Sequence, residues 1–415
     1  MMESKKFPGQ GTRDADSSLA VDEHGPFSHA NPFGYRVVDP QQKLDFRQMD
    51  LQRVLVMQLE SIGNLIMLGP SLRALREALP NAKITLMASA TGSQAAPLLP
   101  WIDDVVVSEA LWQDVSVGAR YNPEYELGLI NEMRGRRFSA AFIFTSSSQS
   151  PFPAAYACYL AGIPYRLGFS RELGGGVLSH TPVPPVEEIH QAERNLSLLQ
   201  AINVPVRDGR LEISIPGQVQ ARADQLLESV GVKPGTPFIL LAPGARDRAR
   251  RYDPNRFATV ARLLSKESGI PLVITGSSEE AEDIRPVTQV AGERTLENVH
   301  SLVGRTTFPE LAGITRRASL VITNNSGCLH IADAFQRPMV VLYSGTDLVS
   351  QWVPRSARAR LLCRPVFCAP CHNLECPYML ECLDIRPDEV AIAALELLAE
   401  RIYFRMPLKR AGVRI

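Results

Sequence analysis

The stretch Arg53-Val54-Leu55-Val56-Met57-Gln58-Leu59, carried on through Glu60 and Ser61-Ile62-Gly63-Asn64 into residues 65–79, decides the fold. It opens as a short, mostly apolar run without polar alternation, the pattern of a strand covered on both faces. A glycine turn follows, and apolar residues then recur at helical spacing until Pro80-Asn81 stops them. A strand covered on both faces needs helices above and below it, so this segment already argues for a parallel α/β sheet.

The same alternation spreads outward. Residues 83–88, 104–107 and 140–145 are strand-like and separated by helical or loop stretches. Residues 178–236 are richer in proline, as in Thr181-Pro182-Val183-Pro184-Pro185, and carry one helical segment near 192–202; they read as the passage between domains. A second alternation then predicts strands at 237–241, 271–275, 320–323 and 338–343, with helices at 254–266, 279–290, 307–318 and 326–335. The chain of 415 residues, 45% hydrophobic, exceeds what one core usually organises. We therefore expect two α/β domains, at 51–205 and 206–400, with a cleft between the carboxyl ends of two sheets. Residues 1–50 lack a sustained period and read as a flexible extension, and 401–415 as a basic tail behind a helix at 388–403.

The balance of 44 basic and 44 acidic residues exerts no global pull on nucleic acid, which excludes a role built on polyanion binding. No run of about 18 apolar residues and no apolar segment behind the first methionines is present, so a cytoplasmic location is expected, at most peripheral at the inner membrane. Arg405, Lys409, Arg410 and Arg414 would supply such a contact with anionic headgroups, or a solvated tail. Of seven cysteines, Cys368, Cys371, Cys376 and Cys382 lie together in C-x2-C-x4-C-x5-C spacing within the loop 363–382. Four thiolates so spaced could hold structural zinc or an iron–sulfur cluster, or staple the loop as two pairs.

Chemistry is expected at the strand-to-helix turns, because the first N–H groups of a helix lack internal partners and its dipole favours an anion there. Ser61-Ile62-Gly63-Asn64 and Asn324-Asn325-Ser326-Gly327 are two such turns, and a glycine in each lets a ligand approach the backbone. Neither carries the G-x-G-x-x-G fingerprint that a dinucleotide-dependent oxidoreductase would need.

Val54-Leu55-Val56 with Ile62-Gly63-Asn64 and Gly69-Pro70-Ser71-Leu72-Arg73-Ala74-Leu75-Arg76 resembles the N-terminal signature of glycosyltransferase family 9, the heptosyltransferase-like enzymes of lipopolysaccharide core assembly. Ala242-Pro243-Gly244-Ala245, Arg250-Arg251-Tyr252 and Pro254-Asn255-Arg256-Phe257 are similar to its second signature. Val273-Ile274-Thr275-Gly276, Leu302-Val303-Gly304-Arg305-Thr306, Thr323-Asn324-Asn325-Ser326-Gly327 with His330-Ile331-Ala332, and the cysteine loop follow in family order. The resemblance covers residues 53–400. It implies a GT-B architecture of two Rossmann-like domains, with a lipid-linked glycan acceptor on the first and a nucleotide-sugar donor, ADP-heptose by default, on the second. It also implies inverting displacement without a required cofactor.

Carried over by motif, Asn325, Ser326, Gly327 and His330 would meet the donor diphosphate or sugar. Arg250 would stand where relatives place a phosphate-binding lysine, among Arg246, Arg248 and Arg251. Glu280 would lie near the ribose, or be an ordinary first-turn helix glutamate. Gly63 marks the acceptor-side turn. The departure lies at the base: relatives carry an aspartate where this chain has Asn64, and an amide takes no proton near neutral pH. Asn325 likewise replaces an acid. Glu60 is the nearest carboxylate, so we expect Glu60 as the base with Asn64 orienting the acceptor; a catalytically lapsed sugar-binding protein is the alternative. Acceptor specificity is expected in the loops 145–152 and 169–176.

Overall fold

The computed structural model describes residues 44–405 apart from 110, 114–121 and 173–174. The first domain runs β1 (Arg53–Gln58), α1 (Ile62–Ala78), β2 (Lys83–Ala88), α2 (Ala90–Ser93), β3 (Asp104–Val107), α3 (Pro123–Arg136), β4 (Ala140–Ile143), α4 (Phe152–Leu160), β5 (Tyr165–Gly168) and α5 (Gln191–Gln200). The second runs α6 (Gly217–Glu228), β6 (Ile239–Ala242), α7 (Pro254–Ser268), β7 (Leu272–Ile274), α8 (Arg285–Val290), β8 (Val299–Ser301), α9 (Phe308–Arg317), β9 (Leu320–Asn324), α10 (Gly327–Ala334), β10 (Met339–Leu342), α11 (Val349–Trp352), β11 (Ala359–Leu362) and α12 (Pro387–Arg405).

Every pairing is parallel, in the orders β3-β2-β1-β4-β5 and β11-β10-β9-β6-β7-β8. The central strands are buried along their length, as their unbroken apolar runs require: β4, β6 and β10 have no residue open to water. Strand order reverses between β1 and β4 in one sheet and between β6 and β9 in the other. Those two switch points are where an open α/β sheet leaves a crevice for ligand.

Several local readings differ from the sequence expectation. The helix expected over 279–290 begins only at Arg285, because Pro286 has no N–H to bond back into a preceding turn. Helix α6 lies inside the passage that reads as linker; only Ala223, Leu226 and Leu227 of it are buried, too sparse an apolar stripe to stand out. Strands β5, β8 and β11 are short and were not anticipated. Of the extension expected over 1–50, residues 1–43 lie outside the described residues. Residues 44–50 are packed on the first domain, with Met49 8% exposed and Phe46 N–H donating to the carbonyl of Ile202 at 3.0 Å. The basic tail lies outside the described residues beyond 405. No helix among the described residues is long and apolar enough to cross a membrane.

Candidate active site

At the first switch point, the chain leaves β1 through Leu59, Glu60 and Ser61. Ser61 caps α1 by accepting from the Asn64 N–H at 3.3 Å. That cap fixes Asn64 in the first turn, with its side chain four residues on from Glu60, and Asn64 Nδ2 donates to Glu60 Oε2 at 2.7 Å. The other oxygen, Oε1, accepts from the backbone N–H of Ser146 at 2.7 Å, in the loop behind β4. The carboxylate is thus held across the switch point. Burial raises its pKa, against the opposing pull of the Ser146 amide and the positive charges of Arg246 and Arg194. Asn64 is 3% exposed, and its Oδ1 has no hydrogen-bond partner among the described residues. Asn64 Oδ1 is thus an acceptor left unmatched beside the Glu60 carboxylate.

At the second switch point, Asn324 closes β9 with both ends of its amide. Oδ1 accepts from the Tyr252 N–H at 3.2 Å and Nδ2 donates to the Pro243 carbonyl at 2.6 Å. These bonds fix the loop behind β6 against the start of α10. Ser326 occupies the cap position of α10, but its side chain makes no capping bond; its Oγ lies 3.2 Å from Thr323 Oγ1. The helix therefore starts with N–H groups uncommitted to a side-chain cap, a seat for an anion.

The two turns interlock. A Cβ on Gly327 would stand 2.6 Å from Ile62 Cγ2, and one on Gly63 would stand 2.9 Å from His330 Cδ2. Each glycine admits a side chain from the opposite domain, so the Glu60–Asn64 pair is brought beside the head of α10. His330 is 6% exposed and lies against Trp352, with ring centroids 6.2 Å apart. Burial first, then the nearby His190 and Arg250, push its pKa down to about 3, so it is a neutral imidazole at pH 7.

Arg250 is fixed between two carboxylates, with Nε 3.3 Å from Asp247 Oδ2 and Nη2 3.0 Å from Asp347 Oδ2. Asp347 is in turn tied to Asn325. Thr346 Oγ1 donates to Asp347 at 2.7 Å, Thr346 and Ser344 hydroxyls lie 3.0 Å apart, and Ser344 donates to Asn325 Oδ1 at 3.3 Å. Arg246 shares Asp247 at 2.9 Å, whereas Arg251 braces its own loop through the Ala245 carbonyl and Asp283, and Arg248 is exposed. The four arginines thus divide into two at the cleft and two outside it. Glu280 is not a first-turn helix residue: in the turn before α8 it accepts from the Ser277 N–H at 3.0 Å and lies directly on Gly244.

The cysteine-rich loop supports this site from behind. Cys368, Cys371, Cys376 and Cys382 line one cavity of about 10 Å³ with Ala249, Gly345 and Thr346. The loop's backbone bonds Cys371 N–H to the Gly345 carbonyl, His372 N–H to the Thr346 carbonyl and the Leu374 carbonyl to the Ala249 N–H, at 2.9 to 3.0 Å. It thereby holds the two loops that carry Arg250 and Asp347. Among the described residues no three His, Cys, Asp or Glu side chains are arranged to hold a metal, and all four thiols are free. Structural zinc at the cluster, one of the roles its spacing allows, has no support in this geometry.

Sequence reasoning missed Asp247, Asp347, Ser344, Thr346, Ser146 and Trp352. Ser344-Gly345-Thr346-Asp347 had a readable signal, since small polar residues follow an apolar strand as in the other two turns.

Comparison with protein families matches residues 129–380 to glycosyltransferase family 9 (heptosyltransferase). The lipopolysaccharide heptosyltransferase 2 of Escherichia coli K12 is 26% identical over 322 residues, covering 75% of this chain and 87% of that protein. Among solved structures, the ADP-heptose lps heptosyltransferase II of E. coli superposes with a TM-score of 0.66 at 22% identity, covering 84% of this chain and 99% of that one. The family 9 glycosyl transferase of Veillonella parvula does so with 0.67 at 21%, covering 86% and 99%.

Proposed function

The chain belongs to glycosyltransferase family 9 and is a glycosyltransferase of GT-B fold, and from that premise we propose that it moves a heptose from ADP-heptose to a lipid-linked lipopolysaccharide-core acceptor. The donor and acceptor are those that the names of its relatives state.

In this reading Glu60 takes the proton of the acceptor hydroxyl, and Asn64 orients that acceptor. The freed oxygen bonds the anomeric carbon as the bond from that carbon to the diphosphate breaks on the opposite face, and the configuration inverts. The leaving diphosphate carries the electron pair away to the head of α10, where Ser326 and Gly327 offer backbone N–H groups, with Arg250 and the neutral His330 beside them. Asn325 holds the sugar side of that turn, and Glu280 with Gly244 would meet the nucleoside. The single observation that carries this is the interlock of Gly63 with His330 and of Ile62 with Gly327, which sets a buried carboxylate beside an anion seat. Replacement of the family aspartate by Asn64 is then no sign of lapse, because the proton acceptor has moved four residues back along the chain.

Purified protein incubated with ADP-heptose and heptose-deficient core glycolipid should release ADP and add one heptose to the glycolipid mass. Donor binding with no mass gain on any core acceptor would sink the proposal in favour of a binding protein. Contact with the cytoplasmic face of the inner membrane belongs to the same reading, and cosedimentation with anionic vesicles tests it.

A further inference from the structure

Arg194 stands in the first turn of α5 and is only 7% exposed. Its Nε donates to the Thr145 carbonyl at 3.3 Å, and its guanidinium carbon lies 5.3 Å from the centre of the Phe169 ring. Thr145 opens the loop behind β4 and Phe169 the loop behind β5. Arg194 is therefore the side chain on which both loops expected to set acceptor specificity converge.

Its charge is not matched by a bound partner. Among the described residues no hydrogen bond or ion pair reaches either terminal nitrogen of Arg194. Glu60 and Glu187 lie within its field, but neither is hydrogen-bonded to it. Arg171, from the second loop, is close enough to repel it, and is itself held by one bond to the Pro185 carbonyl at 3.0 Å. A guanidinium whose side chain is packed away while its terminal donors stay unbonded, with a like charge beside it, is poised to receive an anion. A planar fork of two N–H groups matches a carboxylate or phosphate in two parallel bonds.

We propose that Arg194, with Arg171 at the rim, forms a subsite for an anionic group of the acceptor, a carboxylate or phosphate, placed so that the hydroxyl next to it reaches Glu60. This rests on the acceptor reading given above. The other role open to Arg194 is a brace between α5 and the two loops, which would weaken the fold without regard to the charge of the acceptor.

The test is equilibrium binding of lipid-free inner-core oligosaccharide to the full chain by calorimetry, in the presence of ADP, with three forms of the sugar: intact, carboxyl-reduced and dephosphorylated. Wild type should bind the intact form and lose about tenfold or more on whichever form lacks the recognised anion, the loss of a charged hydrogen-bonded pair. R194Q should bind the intact form as weakly as wild type binds that modified form, and should discriminate between the forms no longer, with R194K between the two. The form that fails tells carboxylate from phosphate. Equal binding of all three forms by wild type, no binding of any, or undiminished discrimination by R194Q overturns the inference. Should R194Q not fold, the wild-type series alone decides. Anion-dependent binding without heptose transfer would refute the transfer reaction and keep the subsite.

Discussion

The turns behind β1 and β9 are built alike and left in opposite states. Each follows a buried parallel strand, starts a helix at a serine and carries a glycine that receives a side chain from the other domain. Behind β9 the side chains are spent on structure: Asn324 on Tyr252 and Pro243, Asn325 on Ser344, Arg250 on two aspartates. What that turn still offers is backbone N–H. Behind β1 the backbone is capped, and the side chains are left reactive, a carboxylate with a raised pKa and a bare amide oxygen. One turn can receive charge without moving, and the other can receive a proton.

The comparison breaks first at Glu60. Glu60→Gln keeps the shape and one acceptor, for the Ser146 N–H, while its NH2 faces an Asn64 amide that must flip to present Oδ1; it removes the proton acceptor, so kcat should fall by about 10²- to 10⁴-fold, the usual contribution of a general base. Donor binding, measured by calorimetry with ADP, should not change. The wild-type rate should decline as pH falls through the raised pKa of Glu60, because only the ionised form accepts a proton, and that acid limb should vanish in the variant. An unaltered acid limb would place the base elsewhere.

The interlock comes next. Gly327→Ala puts a methyl 2.6 Å from Ile62 Cγ2, with Phe308 at 3.2 Å closing the other side, so one of the two must shift. Overpacking of this kind costs about 1–3 kcal/mol. Because the clash lies between the domains, the expected loss is in the Michaelis constant for donor, with a smaller change in Tm. A drop in Tm alone would mean that the two turns meet for stability only.

How much of this was legible depends on the range of the interaction. Strands β1, β4, β6 and β10 were readable because covering a strand on both faces forces an unbroken apolar run into a few consecutive residues. The turns were readable for the same local reason, down to Glu60 and Asn64, which stand four apart on one strand-to-helix passage. The partners of Arg250 were not: Asp347 lies 97 residues away, and nothing in an arginine-rich loop says which member faces inward. Helix α6 escaped because it buries only one thin stripe, and the helix expected over 279–290 was read too long because its apolar spacing outweighed Pro286.

Asn64 sharpens the contrast further. Asn64→Asp installs the residue that the family resemblance implies but places a second carboxylate against Glu60 Oε2, where the amide now donates at 2.7 Å. Two carboxylates so close share one proton, so a larger fraction of the pair is protonated at neutral pH. Activity at pH 7 should fall by about tenfold and recover as pH rises, since one unit of acid-constant shift is a factor of ten in the ionised fraction. A rise in activity at pH 7 would instead return the base to position 64.

The smallest effect expected is on the donor side, in stability rather than rate. His330 is held neutral by burial, with its pKa about 3 against 6.5 for an exposed imidazole, so the unfolded chain binds a proton that the folded chain refuses. The sign follows directly: its contribution is complete above pH 6.5 and is lost as pH falls toward 3. Between pH 7.5 and 5.5 the loss from this one residue should be about 1 kcal/mol. Urea unfolding of wild type and His330→Gln at the two values isolates it, because the variant carries no titrating ring and should lose that much less on acidification. Equal acid sensitivity of the two would mean that the imidazole takes up its proton within the fold, and that the turn behind β9 carries a titrating group of its own.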